Sequence, residues 1–224
     1  MTGPIILHIE SSSDICSVAV SRGSILIDCI EGNEKNAHAQ NLLPFIDRLL
    51  SQNNILKTEL AAVSISAGPG SYTGLRIGTS TAKALSYSLK IPLISVCTLK
   101  SLASAAKDQL PDAKHYIPFI DARRLEVYTA IINHDIEYLR KPEAIDFAKQ
   151  DFNFPEKAVF FGNGSIKMEE HINENAGIML NNINFSAKNL IKTAFSQYSI
   201  KYFDDVAYFV PNYLKNYQLN KSKI

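Results

Sequence analysis

The residues able to do chemistry sit where apolar runs hand over to loops. The run at residues 5–9 ends in Glu10-Ser11-Ser12-Ser13-Asp14. A carboxylate at a strand end, followed by hydroxyls, could face a phosphate and its metal ion or could cap its own loop. Further on, Gly68-Pro69-Gly70-Ser71 reads as a strand-to-helix turn. The glycines tolerate backbone angles closed to other residues, Pro69 stiffens the turn, and Ser71 can cap the following helix. A glycine-bearing loop feeding a helix N-terminus is a ready anion site. Glu10, Ser12, Gly68, Gly70 and Ser71 are therefore candidates for a nucleotide or anion locus, and a plain tight turn accounts for the same residues. The theme returns in shortened form. Asp121 ends another apolar run, and Gly162 and Gly164 lie in the turn Gly162-Asn163-Gly164-Ser165 after a later one.

No residue is nominated as catalytic. Glu10 and Asp121 would each need a paired group to act as general acid or base, and the sequence places none beside them. Among His8, His38, His115, His134 and His171 no two fall at ligand spacing, so no metal site is expected. His38 opens a helix and is expected to be solvated or to border an interface. Cys16, Cys29 and Cys97, odd in number and set in strand-like apolar runs, read as buried thiols of a reducing compartment. Arg123 and Arg124 read as solvent or salt-bridge groups, or as a partner contact beside Asp121.

The glycine turn must be held by a helix at residues 71–89, and that helix is unusual. Gly74, Gly78 and Ala82 recur every four residues and line one stripe. A mid-helix glycine costs about 1 kcal/mol relative to alanine, so another backbone should lie close. That backbone could belong to the same chain or to a partner. The preceding helix, at 37–52, carries Leu42, Phe45, Ile46 and Leu49, with Leu43 and Leu50 widening the face beyond what one sheet needs. A two-helix apolar surface on a soluble chain marks an interaction site. Leu42, Leu43, Phe45, Ile46, Leu49, Tyr72, Gly74, Leu75, Gly78 and Ala82 are accordingly the candidate partner interface. On this reading Gly74→Leu or Gly78→Leu abolishes pairing and leaves a folded monomer.

The remaining elements follow from periodicity. Strands are expected at 5–9, 16–20 and 24–30, then helix 37–52 with its true start near Leu43 because Pro44 suits a first turn. Strand 61–67, helix 71–89, strand 92–96 and helix 98–109, capped by Thr98, complete a first lobe of residues 1–107. A smaller lobe, 108–224, holds strands at 116–120, 126–133, 136–139 and 158–161, a helical stretch after Ser165, and a last helix at 186–196 capped by Ser186. The order, antiparallel strands followed by helical crossovers, predicts an α/β chain of two mixed-sheet lobes. The tail with Lys215, Lys221 and Lys223 reads as a solvated end. The chain has 224 residues and a net charge of +1. No global field draws it onto nucleic acid or an anionic membrane, and a nucleic-acid role would need a local patch or a more basic partner. The N-terminal run is too short for a signal peptide and nothing approaches a membrane span, so the expected location is cytoplasmic.

The pieces IESSSDICSVAV, HAQNLLPFID, GPGSYTGLRIG, DARRLEVYTA, FGNGS and PNYL, in this order, resemble the TsaB (YeaZ) family of tRNA threonylcarbamoyladenosine biosynthesis. The resemblance spans nearly the whole chain and is weakest over 137–199. It implies an actin-like ATPase (ribonuclease H-like) fold of two lobes with flanking helices, the second lobe reduced. It also implies a non-catalytic subunit that pairs with the catalytic paralogue TsaD and the ATPase TsaE, reaches tRNA through that complex, and self-associates when alone. The pairing surface would be helices matching 41–52 and 71–89. The resemblance implies no cofactor of the chain's own, with ATP or ADP at the complex interface. The paralogue's His-x-x-x-His metal pair falls here on Thr98 and Leu102, neither a suitable ligand. Glu10 stands where aspartate is usual, so the nucleotide loops would be vestigial. The alternative is a stand-alone small-molecule kinase or ATPase of the same fold; a metallopeptidase lacks its ligands.

Overall fold

The computed structural model describes residues 2–32, 38–146, 149, 152–172 and 177–215. Strands β1 (Ile5–Glu10), β2 (Cys16–Arg22) and β3 (Ile25–Gly32) form an antiparallel meander. Strand β4 (Leu60–Ser66) then pairs parallel with β1, and β5 (Leu93–Val96) parallel with β4, giving the order β3-β2-β1-β4-β5. Helices α1 (His38–Gln52) and α2 (Tyr72–Leu89) provide the crossovers. All six residues of β1 are buried, as a strand covered on both faces must be. Ile5, Leu7 and Ile9 pack with Leu42, Ile46, Leu49 and Ala82 of the two helices, and Ile6 packs on the opposite face.

The second sheet has the order β10-β9-β6-β7-β8. Its strands are β6 (His115–Asp121), β7 (Glu126–Asn133), β8 (Tyr138–Asp146), β9 (Ala158–Phe161) and β10 (Gly177–Leu180). Strand β10 was not anticipated, being four residues long and defined by parallel pairing to β9. Strand β8 starts at Tyr138 rather than 136, because Ile136 takes a positive φ of 61° in the turn. The stretch after Gly164 is a 3-10 helix, Ser165–His171. The last helical segment is a 3-10 turn, Ala187–Leu190, capped by the Ser186 hydroxyl, running into α4 (Ile191–Ser199).

Three expectations need correction. Helix α1 is already formed at His38, with Pro44 in its interior. Pro44 cannot donate to the Gln40 carbonyl, but both residues lie on the exposed face, where water can satisfy that oxygen. Thr98 is the first residue of helix α3 (Thr98–Gln109), not its cap: Cys97 precedes it without a side-chain cap bond, and the Thr98 amide donates to the Gly68 carbonyl at 2.9 Å.

The third correction concerns the boundary at 107/108, which separates the sheets but not the elements that cover them. Leu99, Leu102, Ala103 and Ala106 of α3 share a core with Tyr116, Ile120 and Phe161 of the second sheet. Conversely, Ala187, Leu190 and Ala194 return to the first sheet, packing on Ile6, Ala19, Ala62 and Ile94. Residues 204–212 stay there. The Asp204 amide donates to the Leu93 carbonyl (2.9 Å), its carboxylate accepts from the Ser95 amide (2.7 Å), and the Asn212 amide reaches the Ala67 carbonyl (2.8 Å). Lys83 Nζ donates to the carbonyls of Ala207 and Phe209, each at 3.0 Å. Of the tail lysines, Lys215 pairs with Glu126; Lys221 and Lys223 lie outside the described residues.

Candidate functional site

The end of β1 turns inward. Glu10 is fully buried, and its Oε1 accepts from the Ser12 amide (2.7 Å) and the Ser12 hydroxyl (2.5 Å). Its Oε2 has no protein partner among the described residues. Burial therefore raises the carboxyl pKa, the serine hydrogen bonds opposing the shift without cancelling it. Two further loop amides are engaged: Ser11 N donates to Ser66 Oγ at 3.3 Å, and Ile15 N to Ser13 Oγ at 3.1 Å. The loop is wrapped around its own acid.

The glycine turn closes on this loop. The Ser71 amide donates to the Ser12 carbonyl at 2.6 Å. A Cβ at Gly70 would stand 2.3 Å from that oxygen, so only glycine admits the approach. Gly68, with φ of 90°, would meet the Asn212 carbonyl at 2.9 Å. Ser71 caps α2 as expected, its hydroxyl accepting from the Gly74 amide at 3.3 Å. Two loops that could cradle an anion are thus held against each other, and the amide that opens the helix is already satisfied.

The small-residue stripe is filled from the same direction. A Cβ at Gly74 would lie 2.0 Å from the Ser11 carbonyl, and one at Gly78 would lie 2.1 Å from Ser11 Oγ. The backbone against the stripe is the chain's own, so Gly74→Leu or Gly78→Leu would wreck the β1 loop instead of leaving a folded monomer. Of the ten interface candidates, Leu42, Ile46, Leu49, Gly74, Leu75, Gly78 and Ala82 are buried in the chain's own core. Leu43 is 53% exposed, and Phe45 and Tyr72 are half-buried. The outward face of α1 and α2 is therefore narrower than the periodicity implied.

In the second lobe Asp121 is exposed, and its Oδ1 accepts from the Arg123 amide (2.6 Å) and from Lys167 Nζ (2.5 Å). Gly162, at φ 106°, and Gly164 lie against the β6 backbone, the Gly164 amide donating to the Phe119 carbonyl at 3.0 Å. That arrangement is a structural turn. His8 is buried between the hydroxyls of Ser64 (2.9 Å) and Ser21 (2.8 Å), and burial pushes its pKa down to about 3. His38 is buried rather than solvated, its ring donating to the Ile15 carbonyl at 3.3 Å. Cys16 is buried, its thiol pushed up to about 11, while Cys29 and Cys97 are only partly covered. Thr98 and Leu102, at the metal-pair positions, are both fully buried. Among the described residues no group of three or more His, Cys, Asp and Glu converges to hold a metal ion. The sequence reading missed the strap at 204–213, because its signals (Asp204 pairing and the Tyr213 ring on Tyr72, centroids 4.9 Å apart) are long-range.

Two mixed sheets joined by α3, with phosphate-type loops at the ends of their first strands, define an actin-like ATPase fold. The activator of the 2-hydroxyisocaproyl-CoA dehydratase from Clostridium difficile, solved with bound ADPNP, has the same architecture at a TM-score of 0.55, with 8% identity over 90% of this chain and 98% of that one. YeaZ from Pseudomonas aeruginosa superposes at a TM-score of 0.83, with 21% identity over 94% of this chain and 100% of that one. A family model described as "TsaD: tRNA N6-adenosine threonylcarbamoyltransferase" matches residues 33–223, and the chain belongs to that family. The tRNA threonylcarbamoyladenosine biosynthesis protein TsaB of Buchnera aphidicola subsp. Acyrthosiphon pisum is 43% identical over 126 residues. That match covers 56% of this chain and 56% of the relative's length.

Proposed function

We propose that the chain is the accessory, pairing subunit of a tRNA threonylcarbamoyladenosine synthesis complex in the cytoplasm, acting beside a catalytic TsaD-type paralogue and a TsaE-type ATPase. The observation that carries this reading is the mutual closure of the two would-be phosphate loops, with the Ser12 carbonyl on the Ser71 amide and against Gly70. A subunit whose Ser11, Ser12 and Ser71 amides are bonded within the chain and whose metal-pair positions are Thr98 and Leu102 contributes surface rather than chemistry. The names of the relatives support the pathway, and the exposed part of α1 and α2, centred on Leu43, Phe45 and Tyr72, supports pairing. A homodimer through the same surface is the state expected without the paralogue, and ATP or ADP would be held by the assembled complex.

Reconstitution tests the proposal. The chain alone is expected to modify no tRNA, and threonylcarbamoyl transfer is expected when it is combined with the paralogue, the ATPase, ATP and the threonylcarbamoyl donor. Transfer by the chain alone, or ATP turnover by the isolated chain, would establish the stand-alone kinase or ATPase reading instead. An active mixture that gains nothing from this chain would overturn the accessory role.

A further inference from the structure

The turn between β6 and β7 is built at a cost. Arg123 and Arg124 take φ of 70° and 52°, both left-handed, where asparagine or glycine would sit with little strain. The turn is nevertheless firmly held. The Glu126 amide donates to the Arg123 carbonyl (3.1 Å), and Lys167 Nζ bonds both Asp121 Oδ1 and the Arg124 carbonyl, the latter at 2.7 Å. The result is two adjacent, exposed guanidinium groups at a hairpin tip.

Other cations meet this tip. Lys215 pairs with Glu126 and lies close enough to Arg124 for the two positive charges to oppose each other. Two residues back, Tyr213 packs on Tyr72 with the rings tilted by 41°, and the Arg76 guanidinium stands 5.5 Å from the Tyr72 ring centroid. Both carboxylates of the cluster, Asp121 and Glu126, are taken by lysines. Among the described residues none of the ion pairs involves Arg76, Arg123 or Arg124. A chain of net charge +1 thus gathers Arg123, Arg124, Lys167 and Lys215 around two acids, on a surface contributed by the β6–β7 turn, the 3-10 helix at Ser165–His171 and the segment after the strap. Two adjacent exposed arginines outside every ion pair of the described residues suit the phosphate oxygens of RNA.

We infer that this patch, with Arg123 and Arg124 at its centre, contacts the phosphate backbone of the RNA substrate; the inference rests on the accessory-subunit reading above. The discriminating variant is R123N/R124G, which suits the left-handed turn better while removing both charges. It is to be compared with R123K/R124K and the native chain, each in complex with the catalytic paralogue, by anisotropy of a fluorescent unmodified tRNA transcript over a salt series. R123N/R124G is expected to bind tRNA roughly tenfold more weakly near 0.15 M salt, with the slope of log affinity against log salt reduced by about one to two. The lysine variant should retain most of the affinity. The melting temperature of R123N/R124G should stay level or rise by about 2–4 °C, so weaker binding cannot be ascribed to unfolding. Unchanged affinity and slope would overturn the inference. Loss of co-purification with the paralogue would also overturn it, by making the patch a protein contact. A native chain that neither pairs with nor activates the paralogue would instead overturn the underlying reading, and this inference with it.

Discussion

His8 shows how a side chain can be conspicuous and yet do no chemistry. Enclosed by Ser21 and Ser64 with its pKa near 3, it is neutral in the folded protein and titrates at its ordinary 6.5 when unfolded. Below pH 6.5 the unfolded chain therefore binds a proton that the folded chain refuses, and stability falls with pH by up to about 1.4 kcal/mol per unit. Denaturant unfolding between pH 4 and 8 should show this loss, and His8→Gln should flatten it. Glu10 has the opposite sign. Its raised pKa means the folded state takes up a proton first, so its charge is a burden at neutral pH that lightens as pH falls through that pKa. Glu10→Gln is expected to raise the melting temperature at pH 8 and leave tRNA modification by the assembled complex within about twofold, because a modest substitution outside any reacting group leaves the transition state untouched. A large loss of modification would instead make Glu10 a participant in the reaction. The run at 5–9 made legible that His8 lies in a strand and that Glu10 stands at its end; that Glu10 still belongs to the strand was not foreseen. The partners of His8 were not legible, since Ser21 and Ser64 come from other strands, whereas Glu10 is bonded by Ser12, two residues on.

At the scale of elements, α2 carries the sharpest revision. The spacing of Gly74, Gly78 and Ala82 correctly indicated a close backbone approach, because helix geometry alone places those residues on one stripe. It could not say that the backbone was the loop after β1, since that depends on the parallel pairing of β1 with β4. Gly74→Ala should gain about 1 kcal/mol of helix propensity yet destabilise the protein overall, because its Cβ would stand 2.0 Å from the Ser11 carbonyl and such overpacking costs about 1–3 kcal/mol or more. Calorimetry would detect the fall, and an unchanged or raised melting temperature would deny the contact. Pairing is better probed from the outward face. Leu43→Asp, at a half-exposed position, should change stability by no more than about 0.5 kcal/mol while weakening co-purification with the paralogue. Leu42→Asp, at a buried one, should unfold the lobe.

The whole molecule is tied together by segments that cross between its halves. The strap at 204–213 covers the free edge of β5, inserts Val206 and Phe209 against the first core, and lies under Lys83. Ending the chain at residue 203 should therefore lower the melting temperature by about 10 °C, from a few kcal/mol of lost apolar burial; a drop of only a degree or two would make the strap ornamental. From sequence alone, the apolar run that becomes β1, the cap at Ser71 and the division into two mixed sheets could be determined, because each depends on neighbours along the chain. Tertiary structure decided the rest: that the two phosphate-type loops close on each other, that most of the expected interface is core, and that α4 and the strap belong to the first sheet. Those outcomes depend on which distant backbone reaches a given stripe or strand edge. That distance is set by strand pairing and packing, and local periodicity carries no record of it.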